Sequence, residues 1–193
     1  MLGAGDAVAG FAQALRSMYP VQLALLDDRW LADMDALVGD PEVRRFTRIP
    51  EPPPDEFART WLAAYQAGRQ DGTREGFAAI GAAGQFLGLG LAPEIDSAAG
   101  EVELGYIVAS SARGHGVGTE ILRLLTRWAF SDSRLLRIYL IIDLENPASH
   151  RIAERCGYWR EGVMRSIHLK QGRRIDAALW SRLPTDPESP STD

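Results

Sequence analysis

The chain has 193 residues, of which 46% are hydrophobic and 24% charged, ordinary values for one globular domain with a sizeable core. A net charge of −5 argues against a nucleic-acid partner, which calls for a basic surface, and mildly favours cationic acceptors such as amines. A single cysteine, Cys156, excludes an internal disulfide framework and a cysteine-based zinc cluster.

The opening MLGAGDAVAG lacks a basic n-region and carries Asp6 within its apolar part, so it does not read as a signal peptide. No apolar run approaches the ~20 residues that span a bilayer. The expectation is a soluble cytoplasmic protein without a membrane partner. Residues 1–18 read as an N-terminal extension in which Phe11, Leu15 and Met18 share a helical face. Residues 19–184 read as one domain and 185–193, polar and Pro-rich, as a disordered tail.

Val21–Leu26 is the first strand, and either Asp27 or Asp28 caps a helix through Leu37. Asp40-Pro41 is a second cap, with proline at the first helical position of a short turn through Arg44. Pro50–Pro54 is a stiff loop. Phe57, Trp61, Leu62 and Tyr65 then repeat at helical spacing to about Gly68, a stripe read as core packing. Gly76–Gly81 and Phe86–Leu91 form a hairpin, and a turn at 96–100 leads into a third strand at 101–108.

In that third strand Val102, Leu104, Tyr106 and Val108 take one face, and Glu101, Glu103, Gly105 and Ile107 the other. Three glycines follow in Gly114-His115-Gly116-Val117-Gly118-Thr119, just before a helix whose apolar stripe is Ile121, Leu125 and Trp128. A helix N-terminus presents unpaired N–H groups and the positive end of the macrodipole, so the stretch reads as a phosphate or pyrophosphate site, or else as a glycine-rich turn without ligand. No Lys precedes Thr119, which excludes a P-loop, and the G-x-G-x-G spacing set back from the strand disfavours a dinucleotide fold. Arg137–Leu144 is a central strand covered on both faces. Asn146-Pro147 opens a helix that stops at Gly157, and Gln171-Gly172 joins two closing strands.

Arg113-x-x-Gly116-x-Gly118 resembles the [Q/R]-x-x-G-x-[G/A] motif of the GNAT superfamily of acyl-CoA-dependent N-acyltransferases. The block Asn146-x-x-Ser149-x-x-x-x-Glu154-x-x-Gly157-Tyr158 resembles that superfamily's later helix, N-x-x-S-x-x-x-x-E-x-x-G-[FY]. Glu161-Gly162, Arg165-Ser166 and the run from Asp176 to Ser181 are similar to the branch of ribosomal-protein N-terminal alanine and serine acetyltransferases. The resemblance covers roughly residues 20–184 and implies an α/β fold whose mixed central sheet splays at the cofactor site between flanking helices.

It further implies acetyl-CoA or another acyl-CoA as co-substrate, with no metal. Backbone groups of Tyr106, Ile107 and Val108 would bind the pantetheine arm, and the N–H near Ile107 the oxyanion. The amides from Gly114 through His115, Gly116, Val117 and Gly118 to Thr119 would hold the pyrophosphate, with Arg113 adding charge or standing as a solvated cation. Glu103 is the expected base, acting through a water, or else part of a solvated strand face; a half-buried carboxylate beside a gap is suited to proton transfer. Many members carry a tyrosine as proton donor where this chain has Ala153; the N-terminal acetyltransferase branch suggests Ser149, whose hydroxyl otherwise bonds nearby backbone. Asn146 faces the cofactor, caps its helix, or both. Cys156 reads as core, and His115, His150 and His168 show no ligand spacing. The implied acceptor is a protein N-terminal amine or a small amine such as a polyamine, amino acid or aminoglycoside; a CoA-sensing module without turnover is the other class. A homodimer is compatible with these readings.

Overall fold

The computed structural model describes residues 20–132 and 134–187. The expected N-terminal helix and the end of the tail lie outside them. In chain order the elements are β1 (Gln22–Leu25), α1 (Leu31–Gly39), α2 (Pro41–Phe46), α3 (Phe57–Asp71), β2 (Glu75–Ile80), β3 (Phe86–Asp96), β4 (Glu101–Val108), α4 (Val117–Ser131), β5 (Arg137–Asp143), α5 (Pro147–Arg155), β6 (Trp159–Lys170) and β7 (Arg173–Arg182). Among the described residues seven strands form one mixed sheet in the order β1-β2-β3-β4-β5-β7-β6. Only β4 and β5 run parallel; every other neighbouring pair is antiparallel. The α4 crossover between β4 and β5 provides the long connection a parallel pair requires.

Local chemistry explains the boundaries. Asp27, rather than Asp28, is the first cap: its carboxylate accepts from the Arg29 amide at 3.1 Å, and one 3-10 turn precedes α1. Asp40 accepts from the Glu42 amide at 2.9 Å, and with Pro41 at the first position the short turn becomes the helix α2. The aromatic helix extends beyond Gly68 to Asp71, where left-handed Gly72 stops it. β3 continues past Leu91 to Asp96 because the register slips between Leu91 and Glu94, leaving Pro93 at a point where no ladder N–H is needed.

The sheet divides two cores. On one face Leu104, Ile138 and Leu140 pack with Ile121, Leu122 and Leu125 of α4 and Ala153 of α5. On the other, Leu89 and Ile107 pack with Met34, Leu37, Leu62 and Tyr65 of α1 and α3. Ile121, Leu122 and Leu125 are wholly buried, each stabilising the fold by about 1.5–3 kcal/mol. The expected alternation in β4 follows this division, with Val102 and Leu104 in the first core and Ile107 in the second. β5 departs from expectation: Ile138, Leu140 and Ile142 are buried, but Tyr139, Ile141 and Asp143 are only partly covered. Its second face borders an opening in the sheet.

Candidate active site

That opening has a simple origin. β4 pairs with β5 over three residues only, Glu101, Val102 and Glu103 opposite Arg137, Ile138 and Tyr139. Beyond Glu103, β4 stays with β3 as far as Val108, while β5 stays with β7 as far as Asp143. The two strands part, and a cleft of about 1350 Å³ opens between them, reaching from α3 to the N-terminus of α4.

Strand alternation decides which backbone groups face the gap. Ala109 donates to the Leu87 carbonyl at 2.9 Å, and Ile107 lies opposite Leu89 two residues earlier. Successive residues point their N–H and C=O to opposite edges of a strand, so the polar groups of Ile107 face β3 rather than the gap. Those of Tyr106 and Val108 face the gap, where the Val108 carbonyl accepts from Arg113 Nε at 3.2 Å. The Ile107 N–H, expected to meet an oxyanion, is thus turned toward β3, and the amides that face the gap are those of its neighbours.

At the far end, Gly114 and Gly116 hold φ of 80° and 78°, a region that favours glycine, and both are exposed. Gly116 caps α4 without a side chain, and the first backbone bond of the helix runs from the Glu120 amide to the Gly116 carbonyl at 3.1 Å. The amides of Val117, Gly118 and Thr119 thus precede any intrahelical acceptor. A Cβ on Gly118 would lie 3.0 Å from Ile152 Cδ1 and 3.3 Å from both Tyr106 Cε2 and Val108 Cγ2. The helix end is consequently pressed against β4 and α5. Converging amides, a positive helix end and an adjoining slot suit a diphosphate with a narrow arm. His115 is exposed beside them.

Arg113 is not a solvated cation. Its guanidinium meets Glu42 at 2.8 Å and Asp40 at 2.5 Å as well as the Val108 carbonyl, tying the glycine loop to the start of α2. Burial raises the Asp40 carboxyl, but the Glu42 amide and the Arg113 guanidinium outweigh it and hold the group below the usual carboxylate range. Much of the Arg113 charge is thereby neutralised at home.

Asn146 is the cap of α5, its Oδ1 accepting from the Ser149 amide at 3.0 Å. This leaves the Ser149 hydroxyl for another partner, and it lies 2.7 Å from the Tyr106 hydroxyl. Burial pushes the Tyr106 phenol above its ordinary value, partly offset by the Ser149 bond.

Glu103 sits where the strands part and is 4% exposed, so the solvated-face reading does not hold. Its Oε1 accepts from Arg48, a residue of the loop after α2 whose side chain is 56% exposed. The guanidinium supplies the partner that a buried carboxylate requires. Nothing in the periodicity around Arg48 singles it out; the pair spans 55 residues. Tyr139 lies opposite Glu103, its phenol pushed up to about 12 by burial and by Glu94, whose carboxylate accepts a hydrogen bond from it at 3.4 Å.

Beyond Glu103 the cleft is lined by Phe57, Trp61 and Tyr65 of α3 and by His168 and Lys170 of β6. Ala58, Leu62 and Tyr65 are buried, but Phe57 and Trp61 are only partly so. The aromatic stripe therefore builds a wall of the cleft as well as core. The loop after α2 contributes Thr47, Arg48 and Ile49. Lys170 donates to the Arg45 carbonyl, and Arg45 pairs with Glu145 at 3.2 Å, so the end of α2 is clasped to the opposite side of the cleft. Cys156 is 1% exposed, with Sγ 3.6 Å from the Thr119 carbonyl beneath the glycine loop, and burial pushes its thiol up to about 11. Among the described residues no group of three or more His, Cys, Asp or Glu could hold a metal, and no helix is long and apolar enough to cross a membrane.

Known proteins resemble this chain in sequence and in fold. The chain is 29% identical over 89 residues to the uncharacterized N-acetyltransferase p20 of Bacillus licheniformis, covering 46% of this chain and 50% of that one. It spans about half the length of the curated relatives it matches. Among solved structures, RimL, a ribosomal L7/L12 α-N-protein acetyltransferase in complex with coenzyme A, superposes with a TM-score of 0.78 at 17% identity, covering 84% of this chain and 93% of that one. The spermidine N-acetyltransferase of Vibrio cholerae in complex with CoA and spermine gives 0.76 at 22% identity, covering 86% and 96%. A family described as acetyltransferase (GNAT) domain matches residues 22–158, and to this family the chain belongs.

Proposed function

We propose that the chain is an acyl-CoA-dependent N-acyltransferase, with acetyl-CoA as donor, acting by direct transfer to the amino terminus of a peptide or protein. The observation that carries this reading is the meeting of two features in one cleft: strands that part after Glu103, and open amides at the N-terminus of α4. The amides from Gly114 to Thr119 hold the diphosphate, and the gap-facing backbone of Tyr106 and Val108 holds the pantetheine arm. Bound acyl-CoA supplies the activated acyl carbonyl.

The protein's own groups do the rest. Glu103, through a water, takes the proton of the attacking amine. A gap-facing amide of β4 stabilises the developing oxyanion. Ser149 holds a hydroxyl hydrogen for the departing thiolate. Arg48, Lys170 and Arg74 stand around the acceptor end. The carboxylates of Asp71, Glu94, Asp96 and Asp143 line the same end, and charge of both signs there suits a peptide that carries its terminal amine beside carboxylates.

Calorimetry with CoA and thiol release from acetyl-CoA over a panel of amines test this. A peptide with a free N-terminus should turn over, and the same peptide blocked at its N-terminus should not. Preference for spermidine would overturn the acceptor reading. CoA binding without turnover on any amine would favour a binding module, and no CoA binding would remove both.

A further inference from the structure

We infer that Tyr106 is a positioning residue that aims the Ser149 hydroxyl hydrogen into the cleft. The inference rests on the acyltransferase reading above and assigns to the Tyr106 side chain a task separate from that of its backbone. The two hydroxyls lie 2.7 Å apart and join β4 to α5 across the gap. A phenol is a stronger donor than an aliphatic alcohol, so of the two directions open to this bond the Tyr106 O–H donates and the Ser149 Oγ accepts. The Ser149 hydrogen is then turned away from Tyr106.

Both partners are held. The Ser149 amide is fixed by Asn146 Oδ1 at 3.0 Å, so its hydroxyl is not spent on capping. The Tyr106 ring packs against the first core and against Gly118, where even a Cβ would stand 3.3 Å from Cε2. Burial also keeps the phenol protonated at neutral pH, so the donor persists. In the transfer, the N–C bond forms and the C–S bond breaks. Ser149 gives its proton to the electron pair left on sulfur and is restored through solvent by the proton Glu103 took from the amine, while Tyr106 keeps its own proton throughout and steadies Oγ by its hydrogen bond.

The test is Tyr106→Phe, which keeps the ring and its packing, with Ser149→Ala and the double variant. Three quantities are read: kcat, KM for acetyl-CoA, and the ionisation of the thiol of bound CoA followed by thiolate absorbance, which needs no turnover. Tyr106→Phe should lower kcat about tenfold, the size of one lost hydrogen bond, with KM within about twofold. It should also move the bound thiol's ionisation to higher pH, since a hydrogen bond to the charged form favours it. Ser149→Ala should cost about a hundredfold, and adding Tyr106→Phe to it should cost nothing more. An unaltered kcat and thiol titration in Tyr106→Phe, beside an impaired Ser149→Ala, would overturn the inference and leave the acyltransferase reading standing. A full further tenfold loss in the Ser149→Ala background would overturn it too. Unaltered Ser149→Ala would remove Ser149 as donor and this inference with it.

Discussion

Replacing Glu103 by Gln separates chemistry from architecture. Glu103 is 4% exposed, yet its partner Arg48 is 56% exposed, so the pair is buried on one side only. Gln keeps the size and an acceptor oxygen for Arg48 and loses the charge. A hydrogen bond to a charged group contributes about 1.5–3 kcal/mol and a neutral one about 0.5–1.5. The difference is opposed by the lower cost of burying an amide than a carboxylate. Stability should therefore change by roughly 1 kcal/mol, a shift of about 2–4 °C in Tm for a chain of this size. Loss of a general base costs about 10²–10⁴ in rate, or ~2.7–5.4 kcal/mol of transition-state stabilisation. Glu103→Gln should accordingly lower kcat at least about a hundredfold at neutral pH, with CoA affinity by calorimetry within about twofold of the parent. A kcat close to the parent's would eliminate Glu103 as base. A fall in kcat matched by equal losses in Tm and CoA affinity would show that the carboxylate holds the strand junction together instead.

Three further outcomes follow from named contacts. Gly118→Val would drive a branched side chain into Ile152, Tyr106 and Val108, where a single Cβ already lies at 3.0–3.3 Å; overpacking should cost about 1–3 kcal/mol in urea unfolding and weaken CoA binding by calorimetry. In the buried pair of Thr126 and Tyr158, 2.8 Å apart, the Thr126 hydroxyl also donates to the Leu122 carbonyl at 2.8 Å. Thr126→Val strands the buried Tyr158 hydroxyl and should cost about 1–3 kcal/mol, whereas Tyr158→Phe leaves Thr126 its carbonyl and should cost less; equal losses in thermal unfolding would refute the assignment of donors. His168 is held below its usual value of 6.5 by burial, then by Arg48 and Lys170, against an opposing pull from Asp143. The folded state therefore resists protonation that the unfolded chain accepts, so stability is present above about pH 6.5 and declines as the pH falls below it. His168→Gln should flatten that decline below about pH 6.5 in urea titrations; an unchanged slope would refute it.

The strand and helix succession was legible in local pattern because local chemistry sets it. Alternation in 101–108 assigned both faces of β4, and Asp40-Pro41 and Asn146-Pro147 are caps in the structure as in the pattern. Where the pattern misled, a non-local partner was responsible. β5 reads as covered on both faces, but parting from β4 uncovers one of them. The stripe on α3 reads as core because periodicity reports that a face is apolar, not whether a neighbour closes over it.

The candidate site divides in the same way. Glycines with left-handed φ ahead of a helix, and a cap that fixes the first turn of α5, are properties of a few consecutive residues, and the sequence alone determined them. The partners did not follow from it: Arg48 with Glu103 is 55 residues apart, Tyr106 with Ser149 43, and Arg113 with Asp40 73. Such pairs exist only after the sheet has brought distant segments to one cleft, and no period of two or 3.6 residues carries their signal. Sequence determined which groups this protein owns and which way each strand and helix turns them; tertiary structure decided which of them meet, because Glu103, Ser149 and Arg113 each take a side-chain partner from a distant segment.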